Sequence, residues 1–355
     1  MYLSIPNDFF VPIYYIEKNI LDINNLMLLE NSNYAINLIK KRNDITIGIS
    51  LPKGGGEARW PKDKAALERY ATEQGVTLKF TDSATTAAEQ YLEVEKLISQ
   101  GIDVLILVPV DLSAAANIVE MAHKSGIKVV AYDRLIKNAD LDLYVSYDNV
   151  AIGELQGRYL IQKVPKGNYI ILSGSPSDNN SKLIKDGAME FIRPLANIRD
   201  INIVTDEAVD NWNPDIAYKI VKDSLVTNNN KINAILAPND AIACAVIKAL
   251  EEQGLAGKIP VTGQDAELSA VKRIVAGTQA MTVFADIREE AKTAIDAATK
   301  LARGQYITTT NMINNGKIDV PSILIRPILV DRNNINDTLI KSGYLKLNEV
   351  YDIYS

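Results

Sequence analysis

From residue 45 onward the chain alternates between two hydrophobic patterns. Short runs dense in Ile, Val and Leu occupy 45–51, 76–82, 103–110, 127–133, 143–148, 168–174, 201–206, 232–238, 259–263 and 280–285. Between them lie longer stretches with apolar residues at helical spacing, such as KDKAALERYATEQG, AEQYLEVEKLISQG, SAAANIVEMAHKSG and DAIACAVIKALEEQG. Several of these close on Gly, the residue favoured just past a helix C-terminus. Strand–helix repetition with near-continuous apolar strands predicts parallel sheets covered by helices on both faces. About ten strands are too many for one such sheet, so two are expected, with the seam at 148–157. A further helix is expected over 287–304, then a polar loop and a last strand over 322–330. These complete the two sheets, so the chain crosses between lobes more than once and forms a hinge. The expected lobes are 44–148 plus about 287–312, and 149–286 plus about 313–349.

Residues 1–43 break the alternation. The spacing of Ile16, Ile20, Ile23 and Met27 predicts an amphipathic helix, and 34–39 a second short one, giving an N-terminal helical extension. A DNA-reading helix–turn–helix needs a tight turn and a basic recognition helix, and neither is found there.

Composition narrows the chemistry. The 355 residues carry a net charge of −6, which disfavours polyanionic partners, so no nucleic acid is expected. One Cys (Cys244) and one His (His123) leave no disulfide within the chain, no thiolate cluster and almost no histidine-based chemistry. His123 falls near a helix C-terminus, where a cation suits the dipole, and Cys244 reads as a small core residue. No run reaches the roughly 20 apolar residues of a membrane helix. The start, MYLSIPNDFF, has no secretory signal pattern. The chain is therefore expected to be either cytosolic or preceded by an export or anchoring segment upstream of Met1.

Open parallel sheets bind ligands beyond the carboxyl ends of their strands. Those positions hold Arg59 and Trp60, Asp133 and Arg134, Asp148 and Asn149, Asp178 to Asn180, Asp210 to Trp212, Asn239 and Asp240, and Gln264 and Asp265. A carboxylate accepts, a guanidinium donates and an amide does both, which is what sugar hydroxyls require when buried. Two indoles, Trp60 and Trp212, suit the two C–H faces of a sugar ring. The balance of acid and base favours a neutral polar ligand over an anion. The stretch GGGEARW lacks the Gly-Lys-Ser/Thr ending of a phosphate loop, and Glu57 repels an anion. Its glycines are expected to bend the loop so that Arg59 and Trp60 face the cleft. Against this stands ordinary turn and capping chemistry, which also places Asp and Asn after strands.

The segments RWPKD, IKVVAYDR, GSPSDNN, APNDA, LAGKIPVTGQDAE, VKRIVAGTQAMTV and NNGKIDVPS resemble the bacterial periplasmic D-xylose-binding proteins, over about residues 44–349. The resemblance implies the type I periplasmic binding protein fold: two Rossmann-like lobes, three crossovers and a pentose in the cleft. It implies sugar contacts from Arg59, Trp60, Asp133, Arg134, Asp178, Asn180, Trp212, Asn239 and Asp265, with no cofactor, metal or catalytic residue. Ala285 stands where the family usually has a ligand-facing Lys. The implied function is an extracytoplasmic D-xylose receptor, periplasmic or cell-surface and membrane-associated through a segment missing from this chain. It presents its closed form to an ABC permease or a sensor histidine kinase, and residues 1–43 either dock that partner or pack on their own domain. The alternatives are a cytosolic sugar-responsive transcription regulator, disfavoured by charge, and a glycoside hydrolase using two cleft carboxylates. A dehydrogenase is disfavoured because no G-x-G-x-x-G follows a strand.

Overall fold

The strands form because their apolar residues run unbroken. All four residues of β3 and all five of β5 are buried, as a strand covered on both faces demands. The computed structural model describes residues 44–53, 59–309 and 311–351. The expectations for residues 1–43 and for the glycine loop with Glu57 lie outside the described residues.

The first lobe runs β1 (Thr46–Ser50), α1 (Trp60–Gln74), β2 (Thr77–Thr81), α2 (Ala87–Ser99), β3 (Val104–Leu107), α3 (Ala116–Lys124), β4 (Lys128–Tyr132) and β5 (Leu143–Tyr147). The second takes over at α4 (Asn149–Lys163), with Asp148 accepting from the Ala151 N–H as its N-cap. It continues through β6 (Gly167–Ser173), α5 (Asn179–Asn197), β7 (Ile201–Ala208), α6 (Pro214–Thr227), β8 (Ala234–Leu236), α7 (Asp240–Glu252), α8 (Leu268–Ala276) and β9 (Thr282–Phe284). Then α9 (Ile287–Ala302) returns to pack on α1 and on β3, β4 and β5. The chain ends with β10 (Asn311–Asn314), β11 (Asp319–Ile325), β12 (Ile328–Val330) and α10 (Leu347–Tyr351).

The large sheet has the order β10-β11-β5-β4-β3-β1-β2 and is parallel except for β10. The second lobe holds the parallel trio β7-β6-β8 and the antiparallel pair β12-β9. In each parallel sheet the chain steps to one side of its first strand and then to the other. That reversal opens a crevice at the carboxyl ends of β1 and β6.

Four expectations need correction. The strand expected over 322–330 is two strands in two sheets. β11 pairs in parallel with β5, from Ser322 against Tyr144 to Ile325 against Tyr147, whereas β12 pairs with β9. Residues 313–325 therefore extend the first sheet and do not belong to the second lobe; the chain crosses at Arg326–Pro327, where Pro has no N–H to continue a ladder. The segment 259–263 contributes only an isolated bridge, Val261 to Ile235. Cys244 is exposed, because it falls on the outward face of α7 among residues whose neighbours Ala243 and Ala245 point inward.

Helices α4 and α5 pack almost backbone to backbone. A Cβ on Gly153 would lie 1.8 Å from the Ile184 carbonyl oxygen, so only Gly fits at this crossing. The contact draws α5, and with it the cleft residues at its N-terminus, against the first helix of the second lobe.

Candidate functional site

Arg59 immediately precedes α1, with Pro61 in the helix's first turn. Its guanidinium is ringed by carboxylates. Nε and Nη2 make a paired contact to Asp63 at 3.2 and 3.0 Å, Nη2 also reaches Glu290 Oε2 at 3.0 Å, and Nη1 reaches Asp133 Oδ2 at 2.6 Å. Burial works against the Arg59 charge, but Asp133, Asp63, Tyr147 and Glu290 outweigh it and hold the group firmly protonated. Burial pushes the Glu290 carboxyl well above the ordinary carboxylate range; Asp133 adds to this and Arg59 opposes it. The Tyr132 hydroxyl donates to Asp63 Oδ1 at 2.7 Å. Trp60 is buried, with the Arg59 and Arg134 guanidinia 4.8 and 5.4 Å from its ring centroid.

Asp133 immediately follows β4 and lies in the left-handed region, at φ 62°. A non-Gly residue there is strained and persists only when its surroundings hold it. Its N–H donates to the Val145 carbonyl at 2.8 Å, and its own carbonyl accepts from Tyr144 Oη and Ser146 Oγ, each at 2.8 Å. These bonds turn the Asp133 side chain out of the sheet towards Arg59.

The second lobe answers with helix N-termini. Asp178 caps α5 by accepting from the Asn180 N–H at 2.9 Å, and Asn239 caps α7 by accepting from the Ile242 N–H at 2.9 Å. Both capping residues also line the cavity between the lobes. The other Asp178 oxygen accepts from Trp212 Nε1 at 3.2 Å and lies 3.4 Å from Arg134 Nε. Burial raises the Asp178 carboxyl above its ordinary value; Arg134 opposes the shift and Asp133 adds to it. Trp212 closes a single 3₁₀ turn in which it and Asn211 have φ of 54° and 52°. Its ring lies on Gly174, where a Cβ would sit 2.2 Å from the indole.

Asp265 and Ala266 are also left-handed, with φ of 100° and 49°. Buried Asp240 secures this loop. Its carboxylate accepts from Gln279 Nε2 at 2.7 Å, Thr282 Oγ1 at 3.0 Å and the Glu267 N–H at 3.0 Å, and its N–H donates to the Gln264 carbonyl at 2.9 Å. Burial holds the Asp240 carboxyl well above its usual range; Asp265 adds to this, and the three donors oppose it.

All nine residues expected from the sequence line two adjoining chambers of one cleft. Arg59, Asp133, Asp178, Asn180, Trp212, Asn239 and Asp265 line the first. Trp60 and Arg134 line the second, which shares Asp178 and Trp212 with the first. The lobes touch directly inside it, where Asn180 Nδ2 meets the Asp133 carbonyl at 3.1 Å. Two buried acceptors in the first chamber, Asn180 Oδ1 and Gln264 Oε1, have no hydrogen-bond partner among the described residues. Such atoms suit a ligand that donates, as hydroxyls do.

Asn149 and Gln264 stand among the strand-end positions read from the sequence but outside the nine contacts the resemblance implies; each lines the first chamber. Sequence reasoning missed Asp63 and Glu290 altogether, since both sit inside helices with no strand-end signal. Ala285 is buried and lines a small void with Arg59, Lys62, Tyr147, Asp265 and Tyr344. His123 sits near the C-terminus of α3 as expected, with Nε2 2.7 Å from Asp142 Oδ2.

Comparison with known proteins agrees with this geometry. Residues 47–306 match the family model described as a periplasmic binding protein domain. The D-xylose-binding periplasmic protein of Escherichia coli K12 is 43% identical over 92% of this chain and 99% of its own length. The protein of the same name from Haemophilus influenzae is 41% identical over 87% of this chain and 92% of its own. A carbohydrate transporter solute-binding protein from Chloroflexus aurantiacus, solved in complex with D-glucose, superposes with a TM-score of 0.81 at 33% identity, covering 86% of this chain and 98% of that one. These relatives are solute binders and not enzymes. The chain is a member of the periplasmic binding protein family, with the type I two-lobed fold.

Proposed function

We propose that the chain is an extracytoplasmic receptor for D-xylose that closes its two lobes on the sugar and presents the closed form to a membrane partner, an ABC permease or a sensor histidine kinase. The observation that carries this reading is the convergence on one cleft of acceptors and donors from both lobes: Arg59 and Asp133 from the first, Asp178, Asn180, Asn239 and Asp265 from the second. Trp60 and Trp212 bring apolar faces to the same cleft. A ligand bridging both sets binds the closed arrangement better than the open one, and that difference alone shifts the population towards closure. The choice of pentose rests on the two D-xylose-binding relatives. The extracytoplasmic site of action likewise rests on their being periplasmic proteins.

Isothermal titration tests the reading. D-xylose is expected to give a single-site isotherm, with D-glucose and D-ribose much weaker. A flat trace with every pentose refutes the receptor assignment, and tighter binding of D-glucose refutes the pentose preference.

A further inference from the structure

We infer that Glu290, a fully buried residue of α9, is a positioning residue for sugar recognition that acts through Arg59. The inference rests on the receptor reading above for its ligand and on donor arithmetic for its mechanism. A guanidinium has five N–H donors in a rigid plane. In Arg59, Nε and one Nη2 proton go to Asp63, the second Nη2 proton goes to Glu290, and one Nη1 proton goes to Asp133. Among the described residues one Nη1 proton is left for a ligand hydroxyl, next to Asp133, which lines the same chamber.

Asp63 alone fixes one edge of the plane. Glu290 grips the outer Nη2 proton from a different element, and with Asp133 it stops the fork from rocking about that edge. Glu290 is 0% exposed and does not line the sugar chambers, so it touches Arg59 and not the ligand. Its Oε1 is buried beside the Tyr147 hydroxyl, away from solvent. Its place in the fold is also informative. α9 is the helix by which the chain re-enters the first lobe after β9, so Glu290 ties a sugar-facing residue to one of the crossovers between lobes. Without its carboxylate, a buried Nη2 donor has no acceptor, and the guanidinium is driven to turn towards another one. The simplest reorientation takes Nη1 from Asp133.

The test compares Glu290→Ala, Glu290→Leu and Glu290→Gln in the full chain. The Gln carbonyl can still accept from Nη2, and Leu preserves volume without an acceptor. D-xylose affinity of the folded variants is expected to fall about tenfold or more in the Ala and Leu proteins and to return to within about threefold of wild type in the Gln protein. Kd values unchanged in Ala and Leu, with only the melting temperature lowered, overturn the inference, because that is the pattern of a purely structural carboxylate. If Ala does not fold, Leu supplies the comparison. A second readout needs no sugar. The Arg59 Nη2–H resonances, one of which Glu290 accepts, are expected to exchange slowly with solvent in wild type and Gln and rapidly in Leu, and equal exchange in all three overturns the inference. A wild-type protein that ignores D-xylose but shows this exchange pattern defeats the sugar assignment and leaves the role of Glu290 standing.

Discussion

Asn180 and Asp133 join the lobes at the floor of the cleft. The Asn180 amide nitrogen lies 3.1 Å from the Asp133 backbone carbonyl and 3.3 Å from its carboxylate. One residue lies in the first turn of a helix of the second lobe; the other immediately follows a strand of the first. Both are buried, and the Asn180 side-chain oxygen is left without a partner among the described residues. The pair thus joins the two lobes and, on the proposed reading, offers an acceptor to a sugar hydroxyl.

Asn180→Ala removes that acceptor and the interlobe bond together. D-xylose affinity is expected to drop about tenfold or more by calorimetry, since each lost buried hydrogen bond costs about 1 kcal/mol and an orphaned partner adds to it. An affinity within twofold of wild type contradicts the bridging role.

Gly174 is the support beneath Trp212. A Cβ there would meet the indole at 2.2 Å, so Gly174→Ala must displace the ring and lengthen its bond to Asp178. Sugar binding is expected to weaken severalfold while the far-ultraviolet circular dichroism stays that of wild type. Trp212 fluorescence, read in a Trp60→Phe background, reports the displacement; an unmoved spectrum and unchanged affinity contradict it.

Asp240 holds the loop that carries Asp265 against the start of α7. Removing its carboxylate in Asp240→Ala leaves Gln279, Thr282 and the Glu267 N–H buried without their acceptor. A loss of about 3 kcal/mol or more is expected by denaturant unfolding, the range for breaking a buried polar network. A loss below about 1 kcal/mol would mean that the network is not holding the loop.

Asp178 sets a direction in pH. Burial raises its folded pKa above the unfolded value, with Arg134 in opposition and Asp133 in support. Between the unfolded carboxylate pKa, about 3.9, and the higher folded value, the folded state binds more protons. Its contribution to stability is therefore full below about 3.9 and is lost as pH rises through the folded value. Wild type minus Asp178→Asn, compared in urea across that window, is expected to lose stability with rising pH. A difference that grows with rising pH contradicts the assignment.

Much of this architecture was legible because the β-branched runs are long and the Gly-terminated helices between them are clearly amphipathic. The illegible parts have physical reasons. β10 reads NMIN, with two Asn in four residues, and forms only because it pairs antiparallel with β11. The run SILIRPILV looks continuous, and only sheet partners reveal that it is shared between lobes. In the site, residues after strands announce themselves, as Arg59, Asp133 and Asn239 do. Asp63 and Glu290 do not, because a charged residue in an amphipathic helix usually marks its solvent face. Here both side chains are buried by the same guanidinium. Cys244 errs the other way: an apolar stretch concealed one outward position.

The central claim is that side chains of both lobes clasp one pentose. A crystal structure of the protein with D-xylose tests it most directly. The account expects the ring between Trp60 and Trp212, hydrogen-bonded to Arg59 or Asp133 of one lobe and to Asn180, Asn239 or Asp265 of the other. A sugar bound to one lobe alone, or outside these two chambers, would contradict it.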